Sequence, residues 1–410
     1  MFNLTNRPVS GAISIRLLAL VGVLVTAACG GAAPAPSTSP AASTAASKPA
    51  ASTPGSSQAS AAAKPAASGA GGFQAEWTSL MAAAKQEGKL SIGFTTNPPL
   101  VDQVLPAFQK QFGVNVEVTQ SANGNQLVNK LVQEKAAGVR SLDVYISATS
   151  ATAIGVDANI YAPLKPRLIL PDVNDSSKWA GGKPWYFDKG ETYIIRLDRQ
   201  LRYFFAINSK TVDATQFKTP ADLLDPKWKG KIAAIDPIIP SAGQSIAADL
   251  VKIMGPDFVQ KLYVGQQVKY TTDQRVLGNW VAQNAYPIGI ALPLDELASM
   301  KQTGLTVSRL RIDKPPMAST TSVLYFGIVD KAQHPNAAKL LANWLLTQEA
   351  MQLIVDAEGY VVTRADVNYS KLDPDNTPTP GVNYFDEGTS DYITGEKPGL
   401  VAKVTELLKH

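Results

Sequence analysis

From Lys89 onward, short apolar runs alternate with stretches whose apolar residues recur at helical spacing. Lys89 to Phe94 reads as a buried strand, and Thr95 to Pro99 as a loop. Leu100 to Phe112 then reads as an amphipathic helix with Val101, Val104, Leu105 and Phe108 inward. Val114 to Val118 alternates as a strand, and a helix opens after Ser121 and Gly124 and runs to Ala137, where Gly138 stops it. Leu142 to Ile146 is a third strand, followed by Ser147 to Ser150 and a short helix. This strand–helix order predicts an α/β body with a parallel sheet and helices on its faces.

The pattern restarts farther on. Arg202 to Asn208 reads as one strongly apolar strand and Lys231 to Asp236 as another. Ser241 to Gln244 leads into a helix ending near Met254. Helical spacing from Gln274 to Gln283 precedes a strand at Pro287 to Leu292. Thr321 to Val329 reads as one further strand, before a helix that starts near His334 with Pro335 at its first position. Leu340, Leu341, Trp344, Leu345 and Met351 form that helix's apolar face. About 340 folded residues exceed what one core commonly serves, so two lobes are expected.

The N-terminal part follows other rules. Arg7 and Arg16 precede an apolar run, Leu17 to Val25, that ends in small residues and Cys29, the single cysteine of the chain. This is the layout of an export signal, and the run is short for a membrane-spanning helix. Its Ala27-Ala28-Cys29 ending resembles the lipobox of bacterial lipoproteins, in which the cysteine receives lipid. Thr26 departs from the large aliphatic usual in that motif. The alternative is a secretory signal cleaved near Ala28. Residues 30–72 are mostly Ala, Ser, Pro, Thr and Gly, with Lys48 and Lys64 the charges among them. Such a segment buries too little side chain to offset its ordering entropy and reads as a disordered tether.

Charge and residue content remove several function classes. A formal charge of +4 spread over 410 residues gives no nucleic-acid footprint. With His334 and His410 as the two histidines and no thiol in the folded part, an ordinary zinc site is not expected. No Ser–His–Asp set or carboxylate pair stands out, so no catalytic residues, metal or cofactor are assigned.

Four small polar clusters remain: Thr95-Thr96-Asn97, Ser121 to Asn123, Ser147 to Thr149, and Ser241-Ala242-Gly243-Gln244. Each follows a predicted strand and precedes a helix. Ligands of open α/β sheets sit beyond the carboxyl ends of strands. Helix N-termini there offer unpaired N–H groups and partial positive charge, suited to carboxylate, phosphate or phosphonate oxygens. Ser, Thr and Asn are also ordinary helix caps. The repetition of the pattern favours a cleft.

Three further stretches carry a resemblance: Ala83 to Leu90; Leu223 to Ile232 with Asp236-Pro237; and His334 to Glu349, with its His-Pro-Asn-Ala-Ala start and Trp-Leu-Leu body. On these the chain resembles the extracytoplasmic solute-binding proteins of ABC importers, in the branch that binds ferric ion, thiamine and 2-aminoethylphosphonate. The resemblance implies a periplasmic-binding-protein type 2 fold: two α/β lobes, a hinge, and a ligand cleft between the lobes. Lobe one would take 73–202 and 322–365, and lobe two 203–321 and 366–410. It implies a monomer that hands its solute to a membrane permease and ATPase, from the periplasm or from a lipid anchor on the outer face of the cytoplasmic membrane.

The iron binders of that branch use adjacent tyrosines and a carboxylate. The matching stretches here, Pro293-Leu294-Asp295 and Ser147-Ala148-Thr149, have neither a tyrosine pair nor, in the second, an acid. Naked ferric ion is therefore disfavoured. A small polar solute with an anionic oxygen group is expected instead, held by the four clusters. Asp295 would take an amine or hydroxyl, and Arg202 would add a charge-assisted contact. An iron-chelate binder, a sensor lipoprotein and an enzyme on the same fold remain as alternatives.

Overall fold

The computed structural model describes residues 70–95, 99–121 and 123–409, apart from the side chains at 70, 71, 294, 295 and 375. The export signal, Cys29, residues 30–69 of the tether, Thr96 and Asn97 lie outside the described residues. Residues 70–72, read from sequence as tether, belong to the helix Ala70–Glu87.

Four strands come first: β1 (Lys89–Thr95), β2 (Asn115–Ser121), β3 (Val144–Ser147) and β4 (Ile194–Arg196). The chain then crosses through β5 (Gln200–Tyr203) into β6 (Phe205–Asn208), β7 (Ile232–Ile235), β8 (Lys269–Thr271), β9 (Ile288–Ile290) and β10 (Val307–Arg309). It returns through β11 (Ala318–Thr321) to β12 (Tyr325–Ile328) and ends with β13 (Phe385–Asp386). They form three sheets, ordered β2-β1-β3-β12-β4, β10-β6-β9-β7-β8 and β13-β11-β5. The first two are the mixed sheets of two α/β lobes, each with its own core. Phe94, Phe108, Ile146, Leu341 and Trp344 belong to one core; Phe205, Ile235, Leu250, Tyr263 and Ile290 belong to the other.

Two apolar runs that sequence reads as single strands are each broken. Arg202 to Asn208 splits at Phe204, whose N–H donates to Met317 and whose carbonyl accepts from Ala291. Thr321 to Val329 splits at Ser322 to Leu324. The buried Asp198 carboxylate receives Ser322 Oγ at 2.5 Å, Leu324 N at 3.0 Å and Gln200 Nε2 at 2.8 Å. The bond from Leu324 N, with another from Val323 N at 3.2 Å, satisfies backbone donors that the break leaves without strand partners. A continuous apolar run carries no signal for a break that lets one strand serve two sheets. The helix read from His334 through Met351 is likewise two, Pro335–Leu345 and Gln348–Glu358, with Met351 on the second.

The His334 to Ala338 stretch is a structural staple. Asp143, buried, accepts from His334 N at 2.8 Å and lies 2.7 Å from its Nδ1. Glu87, at the end of the Ala70–Glu87 helix, accepts from Asn336 N at 3.1 Å and Ala337 N at 2.8 Å. A carboxylate from one helix thus caps the N-terminus of another, where the orphan N–H groups and dipole favour it. The final segment does not pass at once to the second core. Val367, Tyr369 and Leu372 pack on the first, while Val404 and Leu408 of the Lys397–Leu408 helix enter the second.

Candidate functional site

Strand register sets the site. In the first sheet Thr95 lies opposite Ser121, Ser147 opposite Tyr325, and Tyr325 opposite Arg196. Because Phe94 pairs with Ile146, Thr95 is level with Ser147. One sheet edge therefore carries the row Ser121, Thr95, Ser147, Tyr325, Arg196. In the second sheet Phe205 lies opposite Ile290, which is level with Ala234, and Ile235 lies opposite Thr271. The chain leaves the first row at Arg196 and enters the second edge at Phe205 through β5. It leaves the second edge at Arg309 and rejoins the first row at Tyr325 through β11. Since β5 and β11 pair antiparallel, both edges abut one crossing sheet, and the space between them is the interlobe cleft.

The described members of the clusters read from sequence sit at or beyond these edges, each in a different local state. Thr95 ends β1, and its Oγ1 is buried near Gly124, where an added Cβ would approach it to 2.8 Å. Ser121 is partly exposed and turns on itself: its Oγ donates to the Asn123 carbonyl at 2.9 Å. The cap of the Gly124–Ala136 helix is Asn123, not Ser121. Ser147 is buried, with its Oγ 2.8 Å from Thr152 Oγ1. Thr149 opens the Thr149–Asp157 helix and donates to Ser322 O at 3.4 Å and Tyr325 Oη at 3.3 Å. The N-cap of that helix is Ala148, which has no side-chain acceptor. Its first-turn N–H groups therefore lack a capping side chain, unlike those of the Asn123-capped neighbour.

On the second lobe Ser241 caps the Ala242–Met254 helix, accepting from Gly243 N at 3.2 Å and donating to Ile239 O at 3.0 Å. Ala242 begins the helix. Gly243 is set by packing: a Cβ there would lie 2.4 Å from the Ile235 carbonyl oxygen. Gln244 reaches Ile238 O at 3.3 Å. Pro293 is the N-cap of the Leu294–Gln302 helix, which places Asp295 in its first turn at the carboxyl end of β9.

Arg202 is in a different place. It lies on β5, with its guanidinium on Asp249, Glu387 and Ser245 Oγ, the last at 3.0 Å. It is not brought onto either cleft edge.

Residues that sequence did not single out complete the row. Tyr325 Oη donates to Gly388 O at 3.2 Å, and burial pushes its pKa up. Arg196, buried, makes a bidentate pair with Asp386 at 2.7 and 2.5 Å and stacks 4.6 Å from the Trp185 ring centre. Burial opposes its charge, yet Asp386 holds its pKa above the usual value. A cavity of about 350 Å³ opens beside it, lined by Trp185, Asp386, Thr389 and Ser390. Tyr325 reads in sequence as an ordinary strand residue and Arg196 falls in no predicted element; only the antiparallel insertion of β12 beside β4 brings them together at the edge. Among the described residues no group of three or more His, Cys, Asp or Glu side chains converges as a metal site, and no helix is long and apolar enough to cross a membrane.

Comparison with known proteins agrees with the two-lobed fold. A family model described as bacterial extracellular solute-binding protein matches residues 103–377. No curated protein matches the chain. Among solved structures, a putative extracellular solute-binding protein from Bordetella parapertussis is similar at 14% identity and TM-score 0.62, covering 79% of this chain and 99% of that one. Trichodesmium IdiA (FutA), solved with iron and citrate ligands, is similar at 17% identity and TM-score 0.60, covering 78% and 99%. Iron-bound HitA from Pseudomonas aeruginosa is similar at 17% identity and TM-score 0.56, with the same coverage. At these identities the likeness is one of fold.

Proposed function

The chain belongs to the bacterial extracellular solute-binding proteins, and on that premise we propose that it captures a small polar solute with an anionic oxygen group and passes it to an ABC permease. The family is one of exported binding proteins, and its two-lobed fold closes on solute by hinge motion when the closed form binds better. The observation that carries the anionic reading is the Thr149–Asp157 helix. Its Ala148 cap leaves first-turn N–H groups free of side-chain acceptors at the cleft edge. The Ala242–Met254 helix opens beyond the other edge. Two helix N-termini supply positive potential without a charged side chain. Thr95, Thr96, Asn97, Ser121 and Thr149 would contribute from one lobe. Ser241, Gln244 and Asp295 would contribute from the other. Cys29 would carry the lipid that keeps the protein at the outer face of the cytoplasmic membrane.

A second reading is an iron chelate. It is favoured by the solved ferric binders of this fold, one of them in complex with iron and citrate. A chelate presents anionic oxygens and needs no tyrosine pair from the protein.

Native mass spectrometry of the protein purified without added ligand tests both readings. A stoichiometric organic anion or phosphonate released on denaturation supports the first. An iron-bearing adduct replaces it with the second. A protein that arrives empty and shows no thermal shift with phosphonates, organic acids or sugar phosphates overturns the anionic reading. Labelling with radioactive palmitate, lost in Cys29→Ser, tests the anchor.

A further inference from the structure

We infer that the adjacent acids Asp386 and Glu387 form a latch that ties both lobes to the C-terminal segment and limits how far the cleft opens. Successive side chains of an extended strand point to opposite sides, and here the two sides belong to different bodies. Asp386 holds Arg196 of β4, on the cleft edge of the first lobe. The same stretch is fastened there by Tyr325 Oη on Gly388 O and by Ser390 N on Phe187 O at 2.9 Å. Gly388 permits the approach, because a Cβ at that position would lie 2.1 Å from Arg196 Nη1.

Glu387 faces the hinge and the second lobe. It accepts from Arg202 of β5 and, at 2.9 Å, from Ser319 Oγ of β11. Arg202 extends the connection to Asp249 and Ser245 on the Ala242–Met254 helix. Tyr392 reaches Asp249, and Lys397 Nζ lies 2.6 Å from Ser245 Oγ and 3.6 Å from Glu387. Rotation of one lobe against the other changes the distances between β4, the crossing strands and this helix. Buried ion pairs tolerate such changes poorly, since a charge left without its partner keeps its desolvation penalty. The latch therefore favours the lobe arrangement in which all its pairs are intact. Ser245 is one turn beyond Ser241, so the latch also fixes the helix whose N-terminus faces the cleft. The inference needs only the two-lobed fold and not the nature of the solute.

Single-molecule energy transfer on the full chain tests it, with dyes at Val139→Cys and Val264→Cys in a Cys29→Ser background. Both valines are more than half exposed, one on each lobe. Without added solute, Asp386→Asn and Glu387→Gln are each expected to widen the interdye distance distribution, while Lys252→Gln, which breaks the exposed pair to Glu396, leaves it unchanged. Hydrogen exchange in the two variants should quicken about tenfold in β5, β11 and β13 and stay unchanged in β1, β3, β7 and β9. Unchanged distances in folded variants, or faster exchange spread evenly over both lobes, overturn the latch. Should Glu387→Gln fail to fold, Asp386→Asn, whose carboxylate is part-exposed, carries the same test.

Discussion

The cleft edges and the hinge share a helix but use opposite chemistry. At Ser241 the Ala242–Met254 helix offers backbone N–H groups and neutral side chains. Within two turns, at Ser245 and Asp249, it joins a buried cluster in which Arg202, Lys397, Asp249 and Glu387 satisfy one another. The strongest charges of this region are already committed inside the molecule, so in the proposed site an anion would be met by dipoles and hydroxyls. Such a division suits reversible capture: an anion held by fixed neutral donors leaves no unpaired ion behind when it departs.

The comparison can be broken most severely at the hinge. Arg202→Ala leaves two carboxylates facing each other in a buried place and is expected to cost about 3–5 kcal/mol in urea unfolding. A cost near zero would show that the cluster contributes no cohesion.

Proton linkage sharpens the same contrast. Burial, followed by the nearby Glu387 charge, pushes the Asp249 pKa up to about 7, against the pull of Arg202 and Lys397 and the Tyr392 hydroxyl. The folded protein then binds this proton more tightly than the unfolded chain. The stabilising contribution is full below the ordinary carboxylate pKa and is lost as pH rises through about 7. Unfolding free energy should fall across that window, and Asp249→Asn should flatten the profile. A profile identical in the variant would assign the titration elsewhere.

At the cleft edge, Ser241→Asp puts a carboxylate where the anion would sit. Affinity for the solute found by mass spectrometry should drop about 100-fold with the melting temperature preserved; unchanged affinity removes this helix from the site. Gly243→Ala forces a Cβ against the Ile235 carbonyl and should cost about 1–3 kcal/mol of stability. The smallest expected change is the most diagnostic. Ala148→Ser supplies the missing cap of the Thr149–Asp157 helix and should add about 0.5–1 kcal/mol of stability. If the free N–H groups receive the anion, solute affinity falls several-fold in the same variant. Stability and affinity rising together would contradict the proposed role of this helix.

Much of the molecule could be read before its structure. Periodicity located β1, β2, β3, β7 and β9, and the Ser241 cap and Pro335 start fell where expected. What escaped had no local signature. Asp386 and Glu387 look like surface acids in a segment without periodic pattern, and their partners are remote in sequence. Arg202 offered a mobile cation at the hinge end of a strand, and its acidic neighbours come from two distant segments. Trp185 lines a cavity, whereas Trp179 lies in the first core and Trp280 packs against the second. Nothing in the composition around these tryptophans separates the three fates.

The place of β12 has a bearing on how the chain is made. It inserts between β3 and β4 in the first sheet, although more than a hundred residues separate it from either. A chain delivered N-terminus first can assemble β6 to β10 as soon as that stretch has emerged. The first lobe cannot close its sheet until Tyr325–Ile328 arrives. Until then β3 and β4 have unpaired edges on either side of a gap, the kind of surface that chaperones cover and that neighbouring nascent chains can invade. The sheet that starts first is thus the sheet that finishes last.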